Sequence, residues 1–284
     1  MRTFLDCIPC FVRQALDATR FVTDDVRVHE RVLREVLRAA SEMDLSLTPP
    51  EMGLRIHRAI RQLTGVVDPY CEVKERFNRA ALALYPELKT RVRAAHDPLE
   101  AAARLAIAGN IIDFGVRSSI ETAEVEALID GALDAPLEGS VAPLRAALGE
   151  ADRILFLADN AGEIVFDRLL IEELPLERVV VAVKGSPIIN DATRADAEAA
   201  GLTDLVEVID NGSDAPGTLL GVCSDAFRRR FEEADVVIAK GQANYETLSE
   251  AEQDIFFLLQ AKCAVIARDL GCPVGSFVLR RHRE

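Results

Sequence analysis

The residues best suited to chemistry lie in Leu157-Ala158-Asp159-Asn160-Ala161-Gly162-Glu163. An apolar run from Arg153 to Ala158 ends in a carboxylate, an amide and a glycine, and a helical pattern follows. In an open α/β sheet, ligands bind just beyond the carboxyl ends of the strands. An Asp-Asn pair there supplies hard oxygen donors of the kind taken by Mg²⁺ or Mn²⁺. Similar clusters recur downstream. Lys184-Gly185-Ser186-Pro187 leads to Asn190-Asp191, and Asp210-Asn211-Gly212-Ser213-Asp214 is followed by Pro216-Gly217-Thr218. Lys240-Gly241-Gln242-Ala243-Asn244 comes next, then Lys262. Carboxylates with one amide hold a hard cation and leave room for water and phosphate. Lysines donate to the same anion. Glycines and helix N-termini bring backbone N–H groups close to it. A lone Asp at a strand end is commonly a helix cap, and Asn-Gly is commonly a turn. Four successive strands ending in such clusters define a site.

The elements that must position these residues fall into two halves. From about residue 1 to 133 the chain reads as helix after helix, with Val26-Val32-Leu33-Val36-Leu37 and Ala80-Leu82-Ala83-Leu84 at helical spacing. Breaks are expected at Thr48-Pro49-Pro50, Asp68-Pro69, Pro86 and Asp97-Pro98, because proline removes a donor and restricts the residue before it. From about Ala151, β-branched runs appear at Ile154–Leu157, Val179–Val183, Leu205–Ile209 and Val236–Ala239, with weaker candidates at Phe256–Leu259 and Val274–Leu279. Helical patterns at Ile164–Glu173, Thr193–Ala200 and Ser224–Glu233 alternate with them. The expected fold is therefore α/β, with a helical region (1–140) packed on a domain (141–284) built around a mainly parallel sheet. The join falls in Asp134–Gly139.

Composition narrows the function. A net charge of −14 argues against a general nucleic-acid binder. No apolar run approaches a membrane span, and the early charges Arg2 and Asp6 leave no signal-peptide core, so a cytoplasmic location is expected. No phosphate-binding Walker loop occurs, no dinucleotide fingerprint follows the first strand, and neither Ser186 nor Ser213 has a nucleophile-elbow context. The four histidines lie outside the α/β segments, which argues against a Ser-His triad. The sequence carries no signal for an oligomeric state.

Leu157-Ala158-Asp159-Asn160-Ala161-Gly162-Glu163, Val183-Lys184-Gly185 through Asn190-Asp191-Ala192-Thr193, and Ala239-Lys240-Gly241 through Asn244-Tyr245-Glu246 resemble the DUF89 family of metal-dependent damage-control phosphatases, the ARMT1-like proteins. Cys7-Ile8-Pro9-Cys10-Phe11 with Arg13-Gln14, and Gly109-Asn110 with Asp113, resemble its CxxC-bearing prokaryotic subgroup. The resemblance implies a helical region on a Rossmann-like α/β/α domain and phosphatase action on small phosphorylated metabolites. It implies Asp159, Asn160 and Asp191 as ligands of a divalent metal (Mg, Mn, Co or Ni). Glu163, Lys240, Gly241, Asn244 and Lys262 fall where the family contacts substrate, and Asn110 is a candidate to face the cleft from the helical half. Lys262 sits in Leu259-Gln260-Ala261-Lys262 rather than the Arg-Thr-x-Lys form of eukaryotic members, and Cys71 occupies a position expected to be basic.

The expected reaction is phosphomonoester hydrolysis with Asp159 and Asp191 as the catalytic acids and lysines neutralising the phosphoryl group. The nucleophile is either a metal-activated water or Asp159 itself. Two other functions fit less of the sequence: a non-catalytic regulator binding metal or phosphometabolite, and a carboxyl methyltransferase, for which Ala161-Gly162 is a poor nucleoside loop. Cys7 and Cys10 are open to three readings: packing, metal binding or a redox pair. The six cysteines in a chain of this kind give no expectation of a disulfide framework.

Overall fold

A computed structural model describes residues 1–109 and 129–282. Five helices open the chain: α1 (Cys7–Val22), α2 (Val26–Glu42), α3 (Pro49–Thr64), α4 (Cys71–Ala94) and α5 (Pro98–Ala108). The proline signals mostly mark helix starts. Thr48 and Glu51 form a capping box ahead of Pro49, and the Asp97 carboxylate accepts from Glu100 N–H beside Pro98. Pro86 departs from expectation, because α4 runs through it. Its missing N–H costs one helical bond, and the flanking turns keep the helix intact through the buried Ala81, Leu88 and Val92.

After helical residues 129–134 come β1 (Leu137–Gly139), α6 (Ala142–Glu150), β2 (Ile154–Leu157), α7 (Glu163–Ile171), β3 (Val179–Val183), α8 (Arg194–Ala199) and β4 (Glu207–Asp210). The chain continues with α9 (Asp225–Glu233), β5 (Val236–Lys240), α10 (Gly241–Leu248), β6 (Ile255–Gln260), α11 (Ala264–Leu270) and β7 (Phe277–Arg281). The sheet order is β1-β7-β6-β5-β2-β3-β4, with every pair parallel except β6–β7. The join at Asp134–Gly139 thus contains a strand, because Leu137–Gly139 finds a parallel partner in Phe277–Leu279. From β2 the chain winds outward to β3 and β4, then returns to add β5 on the other side of β2. That reversal between β2 and β5 is the topological switch point, where such sheets open a crevice.

The central strands are apolar on both faces, as parallel strands under helices must be. Ile154, Phe156, Val181, Val183 and Ile238 join a core with α4, α5, α7 and α8, while Leu155, Leu157, Ala182, Val237 and Ala239 join one with α9, α10 and α11. A third cluster ties α1, α2 and α3 together through Phe11, Val32, Val36 and Ile56. Among the described residues no helix is long and apolar enough to cross a membrane.

Candidate active site

Main-chain bonds assemble the crevice before any side chain acts. Ala158 N–H bonds Ala182 O at 3.1 Å, and Lys184 N–H bonds Ala192 O at 2.9 Å. The loops carrying Asp159-Asn160 and Asn190-Asp191 pair with one another in an isolated antiparallel bridge between Asn160 and Asp191. Ala192 N–H donates to Asp159 O and Ala161 N–H to Asn190 O, both at 2.8 Å. Ile189, in the second loop, has φ +46°, a strained value for a β-branched residue that these bonds hold in place.

Two glycines let neighbours approach. Gly162 (φ +77°) lies against Phe77 of α4, where an added Cβ would stand 2.9 Å from the ring's Cβ, and its N–H donates to Asn78 Oδ1 at 2.7 Å. Gly241 (φ +78°) opens α10 directly against Asp159, and any Cβ there would overlap the carboxylate. The end of β5 is thereby pressed onto the end of β2.

Asp159, Glu163 and Asp191 are all buried. Asn160 Nδ2 donates to Asp159 Oδ2 at 2.7 Å and to Glu163 Oε2 at 3.0 Å, which leaves Oδ1 unused by these bonds. Burial holds the Asp159 carboxyl well above the usual range, and the like charges of Glu163 and Asp191 push the same way, against the pull of Lys262 and Lys184. Burial pushes Asp191 up to about 6, with Lys184 and Lys74 opposing. Asp191 Oδ2 is 3.3 Å from Lys184 Nζ but has no well-formed hydrogen bond, and it is buried. Lys184 Nζ also bonds Gly217 O.

These residues fit a divalent cation. The Asp191 oxygen, met only by Lys184 at 3.3 Å and by no well-formed hydrogen bond, is one sign. The gathering of four buried carboxylates (Asp159, Glu163, Asp167 and Asp191) at this edge is another, with Lys184 and Lys240 as their direct ammonium partners. Among the described residues no three His, Cys, Asp or Glu side chains form a ready cage, so the third protein donor here would be the Asn160 amide.

Lys240 departs from its expected contact with substrate. Its side chain is 0% exposed, and Nζ donates to Ala106 O at 2.8 Å, Glu163 Oε1 at 2.8 Å and Asp167 Oδ1 at 2.5 Å. An ammonium has three donors, and all are used. Asn244 also turns inward: its Oδ1 accepts from Thr218 Oγ1 at 2.7 Å, and its Nδ2 donates to Lys240 O at 2.8 Å. The helical first turn of α10 accounts for Asn244, since it draws the segment after β5 into the protein, while the buried partners of Lys240 hold its side chain inward. Lys262 is exposed, and its charge is felt at Asp159. Asn110 and Asp113 lie outside the described residues.

The structure gives further residues a place at the site, Lys184 among them from the polar cluster after the second predicted strand. Lys184 stands beside Asp191. Asp167, one turn after Glu163, pairs with Lys240. Lys74 and Asn78, one turn apart on α4, bring helical-region polar groups to the site: Lys74 lies 3.1 Å from Asp68 and 3.6 Å from Asp196, and Asn78 Nδ2 donates to Asp196 Oδ1 at 2.8 Å. Cys71, at the position expected to be basic, is exposed one turn before Lys74. An acid inside the apolar run Ile164-Val165-Phe166-Asp167 was the available signal for Asp167, while the α4 pair required tertiary contacts. Cys7 is half-buried with its thiol pushed up by burial, and Cys10 is exposed, so packing does not account for both; neither is in a disulfide.

The chain as a whole matches a known protein class. A family model described as the damage-control phosphatase ARMT1-like domain matches residues 3–278. The chain is 35% identical to a protein of Archaeoglobus fulgidus named a damage-control phosphatase, over 96% of this chain and 97% of that one. It is 36% identical to a protein of Pyrococcus horikoshii bearing the same name, over 100% of this chain and 99% of the relative. It is 37% identical to an uncharacterized protein of Methanocaldococcus jannaschii, over 96% of this chain and 93% of that one. A crystal structure of a DUF89 family protein from Pyrococcus horikoshii superposes with a TM-score of 0.91 at 36% identity, covering 100% of both chains. The chain belongs to the ARMT1-like, DUF89 family of damage-control phosphatases.

Proposed function

We propose that the chain is a metal-dependent phosphatase of small phosphorylated metabolites. The observation that carries this reading is the convergence of Asp159, Asn160 and Asp191 at the switch point, held by their own backbone bridge. The names of the Archaeoglobus and Pyrococcus relatives support it. Asp159, Asn160 and Asp191 would hold the cation, which supplies Lewis acidity towards a phosphoryl oxygen. Lys184 and Lys262 place positive charge beside the carboxylates, where transfer of a phosphoryl group is governed by positioning and electrostatics. Glu163 fixes the Asn160 amide so that its oxygen, not its nitrogen, remains available. Lys240, enclosed beneath, anchors Glu163.

The test is phosphate release from an aryl phosphate and a panel of phosphometabolites by chelated protein, with separate add-back of Mg²⁺, Mn²⁺, Co²⁺ and Ni²⁺. Metal-restored release that Asp159→Ala and Asp191→Ala each lose, with the fold retained by circular dichroism, is expected. Release that survives both substitutions, or none with any metal, overturns the assignment; the latter with ligand binding intact would indicate a binding protein.

A further inference from the structure

We infer that Asp167 is a positioning residue for this site, acting through Lys240 and Glu163 on the Asn160 amide. The inference deepens the metal reading above and rests on it. Glu163 and Asp167 are four residues apart on α7 and share one face of the helix. Lys240 Nζ lies between them, 2.8 Å from Glu163 Oε1 and 2.5 Å from Asp167 Oδ1. The two Glu163 oxygens are therefore committed in opposite directions, Oε1 to Lys240 and Oε2 to Asn160 Nδ2 at 3.0 Å. Asp167 takes one side of the ammonium and Ala106 O, in the last turn of α5, takes another. Without the Asp167 charge, the whole ammonium charge would fall on Glu163. Both oxygens would then be drawn towards Lys240, and the Asn160 amide would keep only Asp159 of its two acceptors.

Stability alone does not call for this arrangement. Asp167 Oδ2 is buried with no hydrogen-bond partner. A lysine satisfied by one carboxylate and a carbonyl would cost less than one that brings a second buried acid with an orphaned oxygen. Burial pushes the Asp167 carboxyl up to about 7 despite the attraction of Lys240, which marks how much this acid loses by being there. What the second acid supplies is direction: it splits the ammonium's pull so that one Glu163 oxygen stays on Asn160.

The test uses Asp167→Asn, nearly isosteric, with Asp167→Ser as a second variant should the first fail to fold. The primary readout is the exchange of the Asn160 side-chain amide protons with solvent in metal-free protein by NMR, assigned through Asn160→Asp. Exchange is expected to rise about 10-fold on loss of a charge-assisted bond. Mn²⁺ binding by calorimetry is expected to weaken about 10-fold, as for other groups that orient a ligand. In a Glu163→Ala background the link to Asn160 is already cut, so adding Asp167→Asn is expected to change either readout by less than about twofold. A merely structural role would not produce that dependence. Asn160 exchange unchanged by both Asp167 variants, or an equal effect in both backgrounds, overturns the inference. If the native chain binds no Mn²⁺, the metal reading falls, and the exchange comparison still decides the role of Asp167.

Discussion

Replacing Gly241 by alanine separates backbone strain from the geometry of the site. Gly241 and Gly65 both have positive φ, +78° and +73°, but an added Cβ at Gly65 meets nothing within 4 Å. Each substitution carries the penalty of an L residue at positive φ, about 1–2 kcal/mol. At Gly241 the new methyl group would also stand 2.9 Å from Asp159 Cβ and overlap the carboxylate, whose nearer oxygen must retreat about 1.5 Å to reach an ordinary 3.4 Å contact. Asp159 is 7% exposed, and the oxygen concerned accepts the 2.7 Å bond from Asn160, so the retreat breaks that bond and misplaces the acid. A misplacement of about 1 Å at reacting groups costs roughly 100-fold in rate. Gly65→Ala is expected to lose stability in urea and keep kcat for metal-dependent phosphate release. Gly241→Ala is expected to lose at least as much stability and about 100-fold in kcat. If Gly241→Ala retains kcat near that of Gly65→Ala, the close packing of β5 on Asp159 has no bearing on the chemistry.

Lys240→Met leaves Glu163 and Asp167 buried against each other without a cation, and a loss of about 3–5 kcal/mol in urea unfolding is expected. A variant as stable as the native chain would show that the ammonium is not holding that pair. The pH dependence of stability carries a separate signature from His57, which is 5% exposed with an unpartnered Nε2. Burial, with a smaller push from Arg61, depresses its pKa from 6.5 to about 4. The unfolded chain therefore binds this proton first, and the native state loses up to about 3 kcal/mol as pH falls from near 6.5 to near 4. Asp191 and Asp167 shift the opposite way, to about 6 and about 7, so their contribution is present at low pH and lost as pH rises through those values. Urea midpoints of His57→Leu against the native chain from pH 4 to 7 isolate the histidine; parallel curves would show that His57 does not titrate between the two states.

Much of the frame is written locally. Ile154–Leu157, Val179–Val183 and Val236–Ala239 are β-branched or aliphatic runs that only a two-sided sheet buries, and each is a strand. Leu137–Gly139 has no such pattern, because its strand identity comes from pairing with β7 about 140 residues later in the chain. The last strand falls at Phe277–Arg281 instead of Val274–Leu279, and its charged end pairs with Asp254 through Arg281. At the site, strand-end position marks Asp159 and Asn160; Asp191 lies well beyond the end of β3, and its grouping with them comes from the family resemblance. Residue type and strand-end position do not determine which lysine faces the crevice. Lys184 and Lys240 both end parallel strands, and only the presence of Asp167 and the Ala106 carbonyl beneath β5 turns Lys240 inward. Lys74 and Asn78 could not be read from local pattern, since their partners Asp196 and Gly162 lie far away in sequence.

The backbone bridge between Asn160 and Asp191 has a consequence for how such sites diversify. The two loops are stitched by N–H to carbonyl bonds at 2.8 Å that no side chain contributes to. The relation between the loops therefore does not depend on the side chains of the bridged residues. Inserting or deleting a residue in one loop would shift the register of both. Transplanting this centre into another sheet would require both loops as one unit, with their lengths kept.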